Sequence, residues 1–214
     1  MLNKSTYTLF FFSSIIFCNS NNILTDINSN LNWVLVEEIE AQKVYKFYNP
    51  NCECTYSKVE KPVEYNESDI FNVIRDINGY NIFIRNKTLN SNLISIDNDT
   101  IYAYQTVKNS IPFVRDRQYV FKMYTVSKDH IEWIILDKKS DYLTPYLNAD
   151  MKTLTLGAGS WSFRYDGSEK YLMNKIYVND EVNLPSLFIN KLKRNSVVKI
   201  FNDILNHIKK IKRG

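Results

Sequence analysis

The 214-residue sequence predicts an α+β domain in which an antiparallel sheet packs on one long C-terminal helix. Three observations point to it. Short segments rich in Tyr, Ile and Val follow one another with only turn residues between them, which means hairpins rather than crossover helices. From Pro185 onward, apolar residues recur at helical spacing. The aromatic content is 14%, with 15 Tyr and 12 Phe, and these rings alternate with polar residues along the strand-like segments.

Length and composition set the frame. The chain is 44% apolar and carries 27 Lys and Arg against 23 Asp and Glu, a formal net charge of +4. One domain of this length buries roughly 70% of the surface its unfolded chain exposes, so it needs neither a disulfide scaffold nor a structural metal. Collagen-like, coiled-coil and disordered classes are excluded. With Gly and Pro at five each, the loops must turn on other residues. Asn, about one residue in eight, takes part of that role, and an AT-rich coding bias raises it without functional meaning.

In chain order, Lys4 precedes an uncharged run from Tyr7 to Phe17, too short to span a bilayer but long enough for the core of a signal peptide. Cleavage after Ser20 divides the chain into a leader, residues 1–20, and a domain, residues 21–214, and predicts export to a periplasm or the exterior. Cys18 invites a lipidated N-terminus instead, but Phe17 is bulky where that motif wants a small residue. Trp33 to Val44 reads as a short helix or the start of a strand, and Val44 to Tyr48 as a strand. Glu67 to Asn78 reads as a helix capped by Ser68. Strands are predicted over Asp99–Val107, Arg117–Val126, His130–Leu136, Leu156–Tyr165 and Lys170–Val178.

The terminal helix, Pro185 to Lys212, aligns Phe188, Leu192, Val198, Phe201, Ile204, Leu205, Ile208 and Ile211 on one stripe. It also concentrates charge. Lys191, Lys193, Arg194, Lys199, Lys209, Lys210, Lys212 and Arg213 face a single anion, Asp203, so this segment carries +7 and the remainder −3. Such a helix is either a solvated face or an attraction to anionic lipid headgroups.

Alternation along the strands turns Tyr119, Phe121, Met123, Trp133, Trp161 and Phe163 to one face if Gln118, Lys122, Glu132, Ser162 and Arg164 meet water. Either these rings interdigitate with the terminal helix into a solid core, or a curved sheet leaves a cavity that they line.

Catalytic signals are sparse. His130 and His207 are the two imidazoles, and no Ser or Cys stands in a nucleophile motif. Gly157 and Gly159 give only a GxG, read as a strand bulge. Cys52 and Cys54 form a lone CxC that cannot complete a zinc site, read first as free or intermolecular thiols, with oxidation left open by an exported compartment. Arg115 and Asp116 read as a structural ion pair. Sequons stand at Asn66, Asn86 and Asn98. No catalytic residue, metal ligand or cofactor is assigned, and the basic helix lacks any base-reading motif, which argues against nucleic acid.

The ordered set of Thr100–Tyr124 (TIYAYQTVKNSIPFVRDRQYVFKMY), Gly159–Phe163 (GSWSF) and the NLPSLFINKL run from Asn183, extended by Trp33, Val44, Tyr45 and Phe71–Tyr80, resembles the START domain, the lipid-transfer module related to the steroidogenic acute regulatory protein. The resemblance covers roughly residues 25 to 212. It implies a helix-grip fold, a curved antiparallel sheet wrapped around the C-terminal helix, with one phospholipid, sterol or similar ligand in an internal hydrophobic cavity. The cavity candidates are Tyr102, Tyr104, Tyr119, Phe121, Met123, Trp133, Trp161, Phe163, Phe201 and Leu205. The implied lid is the loop Lys108 to Val114, with Ile111, Pro112 and Phe113 at the mouth and able to dip into a transient, anionic membrane surface. Sterol-binding members carry a buried acid and an arginine on adjacent strands; aligned through Arg115, those positions hold Tyr102 and Phe121, with the Tyr102 or Tyr104 hydroxyl left to bind a lipid head. The implied protein is a monomeric lipid carrier and not an enzyme. Polyketide aromatase/cyclase relatives of the same fold, or a ligand-binding sensor, are the alternatives.

Overall fold

The computed structural model describes residues 19–85, 89–108, 115–137, 140–142, 144–179 and 186–213, with the side chains of 144 and 186–194 excepted. The chain enters through α1 (Ser20–Asn28), then forms β1 (Val34–Ile39), β2 (Gln42–Asn49) and β3 (Cys54–Pro62). Two short helices follow, α2 (Glu67–Arg75) and α3 (Tyr80–Phe83), and then β4 (Leu89–Asp97), β5 (Thr100–Val107), β6 (Arg117–Ser127) and β7 (His130–Ile135). After a 3-10 turn at Thr144–Tyr146 come β8 (Lys152–Thr153), β9 (Gly157–Asp166), β10 (Glu169–Val178) and α4 (Ser186–Ile211).

Nine of the strands form one antiparallel path, β1-β2-β3-β10-β9-β7-β6-β5-β4, with β8 added in parallel to β6. The chain lays down one edge, crosses through α2 and α3 to the other, and returns hairpin by hairpin until β10 pairs with β3. Its turns use the left-handed region without glycine at Glu40, Ala41, Glu53, Asn98 and Asp99, as a chain with so little glycine requires. The turn at Glu53 also brings Cys52 and Cys54 together in a disulfide, which corrects the reading of free or intermolecular thiols.

Several sequence boundaries shift. Trp33 to Val44 resolves into strand β1 and the start of β2. Helix α2 begins at Glu67, so Ser68 lies inside its first turn and Asn66 takes the N-cap position. The Glu67 carboxylate accepts from its own backbone N–H, the Tyr165 hydroxyl and Lys170, which together hold its pKa down to about 2. The expected cleavage after Ser20 falls inside α1, because Asn19 caps that helix and the buried Ser20 hydroxyl donates to the Ile135 carbonyl and accepts from the Gly157 N–H.

The two faces of the sheet bury different things. On the convex face, Ile23, Leu24 and Ile27 of α1 pack on Tyr56, Ile134 and Ala158. The buried Tyr56 hydroxyl donates to Asp26 and accepts from Asn49, tying α1 to the β2–β3 hairpin. On the concave face lies the main core, where Val197, Phe201, Ile204 and Ile208 of α4 meet the inward residues of the central strands. At 1.5 Å per residue, the 26 residues of α4 run about 39 Å across the sheet.

Asp203 is the exception on that helix, 2% exposed yet charged. Its two oxygens accept from the Arg85 backbone N–H at 2.9 Å and the Arg85 Nε at 2.6 Å, so the buried carboxylate is paired as burial demands. At its last turn, Lys212 reaches Asp69 of α2 at 2.7 Å.

Gly157 and Gly159 sit in unbroken ladders rather than in the expected bulge. Their missing side chains make room for Ile135 and for the flat ring of Trp133. A Cβ at residue 159 would lie 2.6 Å from two Trp133 ring carbons and 2.7 Å from the Lys175 carbonyl oxygen. Gly159→Ala is therefore expected to lower stability by about 1–3 kcal/mol in urea unfolding. An unchanged unfolding midpoint would remove the Trp133 ring from this seat.

Candidate functional site

Directly paired residues on antiparallel strands point to the same face, so the register lays out the concave surface row by row. One row runs Ile101, Met123, Trp133, Gly159, Ile176. The next, nearer the β5–β6 connection, holds Ala103, Phe121 and Ile135, with Gly157 against Ile135 and paired to Val178. Beyond it lies a polar row, Ser91, Gln105, Tyr119.

The space over these rows is filled unevenly. Toward α2, Trp161 stacks on Phe201 at 5.6 Å and Phe163 meets Phe71 at 5.2 Å, with Leu172, Ile70, Ile74 and Ile204 fully buried around them. Toward the β5–β6 connection, Tyr119, Trp133, Ile176, Val178 and Val198 pack on the core but keep accessible surface. Tyr119 is at once surrounded by protein and accessible: burial pushes its phenol well above the usual range, yet its ring is only partly covered. Ring contacts at 6.2 Å link Tyr119 to Phe121 and Phe121 to Trp133, so the row continues into the apolar surface.

Of the cavity candidates, Phe121, Met123, Trp161, Phe163 and Phe201 lie in the core between the sheet and α4, and Tyr119, Trp133 and Leu205 pack against it. Tyr102 and Tyr104 do not. Strand β5 turns Ile101, Ala103 and Gln105 inward, and its two tyrosines stack on Tyr142 and Tyr146 across the convex face, at 4.1 and 5.0 Å. The expectation that either hydroxyl binds a lipid head is thereby corrected; the Tyr104 hydroxyl donates to Gln118, itself held by Asn148 and Thr153. Gln105 and Ser91, with Arg117 two residues before Tyr119 on the same face and the buried Asn174 of β10, are inward polar residues that the sequence reading missed. The parity of Ile101 and Ala103 was the available signal, hidden by assuming that the convex side meets water.

Lys108 is exposed, and Ile111, Pro112 and Phe113 lie outside the described residues. Arg115 is exposed, and the Asp116 carbonyl accepts from the Lys152 N–H. His207 stacks on Phe83 of α3 at 4.4 Å. His130 lies 3.4 Å from Glu132 at the β6–β7 turn, and burial lowers its pKa. Along α4, about 22 Å of helix separates position 194 from Lys209.

A second concavity, a groove of about 510 Å³, lies at the other end of the sheet between α2 and the β4–β5 and β6–β7 turns. Its Arg75 guanidinium is taken up by the Asp99 carboxylate and carbonyl and by the Thr125 hydroxyl.

No family model and no curated protein matches the sequence. Solved structures match the fold. A STAR-related lipid transfer protein from Xanthomonas axonopodis superposes with a TM-score of 0.69 at 16% identity, over 83% of this chain and 98% of its own. Human StAR-related lipid transfer protein 5 gives 0.69 at 9% identity, over 90% and 93%. Human STARD10 gives 0.69 at 12% identity, over 91% and 80%. With α4 laid across a nine-strand antiparallel path, the chain has the helix-grip fold of the START lipid-transfer domains.

Proposed function

We propose that the protein binds one lipid-sized apolar ligand between the concave face and α4 and carries it between membranes. The observation that supports this reading is the partly uncovered apolar surface of Trp133, Ile176 and Val178 on the sheet and Val198 on the helix, in a fold whose solved relatives are named lipid transfer proteins. The energetics suit a carrier. Burying about 15 methylenes at roughly 0.8 kcal/mol each gains about 12 kcal/mol over water, and a bilayer offers nearly the same. Exchange is then close to neutral, and its rate depends on opening.

The end of the sheet that carries the β5–β6 connection and the start of α4 is the part proposed to meet the bilayer, with Lys108, Lys191, Lys193 and Arg194 attracted to anionic headgroups. We further propose that the chain is exported as a monomer, its Tyr7–Phe17 run serving as the leader. A processing boundary before Asn19 would keep the α1 cap.

Native mass spectrometry of the purified protein should show one non-covalent ligand per chain, recovered chemically unchanged on extraction. An empty chain, or a ligand returned as a changed product, would sink the carrier reading. Ile176→Trp should then abolish the bound mass while the fold survives, because the indole occupies free space. Tyr102→Ala, on the convex face, should leave the bound mass intact. Loss of about 1–3 kcal/mol of stability in Ile176→Trp would instead indicate a filled core.

A further inference from the structure

We infer that Lys175, on the convex face and outside the proposed ligand site, is a nucleophilic amine that captures aldehydes as a covalent imine. Strand β10 turns Lys175 away from α4. The register sets it in a row of outward residues, Tyr45, Lys58, Lys175, Ser160, Glu132 and Tyr124, across β2, β3, β10, β9, β7 and β6. Its direct cross-strand partners are therefore Lys58 on one side and Ser160 on the other. Like charges placed directly opposite repel, so each lysine of such a pair needs a carboxylate. Lys58 has one, and Lys175 does not.

The Lys58 ammonium lies 3.2 Å from Glu60 and 3.8 Å from the centre of the Tyr45 ring, on the β2 side of its strand. The carboxylates around Lys175 on this face have other donors. Glu60 also accepts from the Tyr45 hydroxyl at 2.8 Å, and Arg164 stands 3.8 Å from it. Glu132, beyond Ser160, accepts from Asn28 at 2.7 Å and Tyr124 at 2.9 Å, with His130 at 3.4 Å. Asp26, the charged residue of α1, accepts from Tyr56 at 3.0 Å and Asn49 at 2.9 Å. Ser160 adds no charge, and its hydroxyl donates to Asn28. Among the described residues, no hydrogen bond or ion pair engages the Lys175 side chain.

An ammonium in that position is partly removed from water, faces a second cation and gains no acid in return. Burial first, and the Lys58 charge second, lower its pKa from the ordinary lysine value. More of it is then the neutral amine near pH 7, the form that attacks a carbonyl carbon. In the step, the amine nitrogen bonds to the aldehyde carbon, the carbon–oxygen bond breaks, and the oxygen leaves as water with both amine protons. No oxidant or reductant is consumed. Imine formation needs only the amine, whereas acyl transfer would also need a free general base, and the carboxylates here are engaged. Lys175 keeps accessible surface, so an aldehyde reaches it from solvent without entering the core.

Limiting butanal with sodium cyanoborohydride at pH 7.5 traps the imine on the full chain as a butyl amine, and peptide mass mapping over time ranks the lysines. Lys175 should be alkylated at least about fivefold faster than the exposed Lys46 and Lys209. Lys58→Met should slow Lys175 about threefold or more while leaving Lys46 unchanged, and Lys58→Arg, which keeps the charge, should retain the original rate. Thermal melts report folding. If Lys58→Met fails to fold, the pH dependence of the unaltered chain decides, because Lys175 alkylation should reach half its maximum at a lower pH than that of Lys46. A Lys175 rate no greater than those of Lys46 and Lys209, a rate indifferent to Lys58→Met in the folded variant, or pH midpoints that coincide would each overturn the inference.

Discussion

The contact between α4 and the concave face is the constraint on which the rest of the structure depends. A strand path nine members wide and curved on itself has an inner face too apolar to meet water, and one helix must cover it. Val197, Phe201, Ile204 and Ile208 do so, with the Phe201 ring stacked on Trp161 as the central contact. Without that stripe, Trp161, Phe163, Leu172 and Phe121 would face solvent together. The same contact bounds the candidate site, since α4 seals the α2 end with large rings and leaves smaller or partly covered side chains toward the β5–β6 connection.

Polar groups then fix where the helix sits. Apolar packing alone tolerates sliding, whereas Asp203 must find its two Arg85 donors and Lys212 its Asp69 carboxylate. The glycines act on the opposite side of the contact. Because β9 carries hydrogen at 157 and 159, Ile135 and Trp133 can lie flat on the strand, which sets the depth of the concave face beneath α4.

Much of this was legible in the residues. The terminal helix was visible because its apolar period is long and uninterrupted, and β5, β6, β7, β9 and β10 because Tyr, Ile and Val alternate between turn residues. Strands β3 and β4 were not. In β3, Lys58 and Glu60 pair with each other on the convex side and mask the buried Tyr56 and Val59. In β4, the buried inward residue is Ser91 amid Asn and Ser, a composition that reads as loop. Helix α1 went unassigned because its apolar residues Ile23, Leu24 and Ile27 stand among Asn, Thr and Asp, a composition that reads as loop. The inversion of Tyr102 and Tyr104 has a different cause: the segment carrying Tyr142 and Tyr146 folds back over the convex face, so rings on that side are stacked rather than wet. Nothing local to β5 announces that cover. The polar row escaped for the same reason, since Gln105 in an alternating strand reads as the wet position until its partner Tyr119 is known to point inward.

The central claim is that apolar surface remains unfilled between α4 and the loop-end half of the concave face. Diffraction from delipidated crystals pressurised with xenon tests it most directly, because xenon occupies apolar voids and scatters strongly. Xenon peaks bounded by Trp133, Ile176, Val178 and Val198 are the expected result. Side chains meeting at van der Waals contact in that region, with xenon absent, would contradict the account.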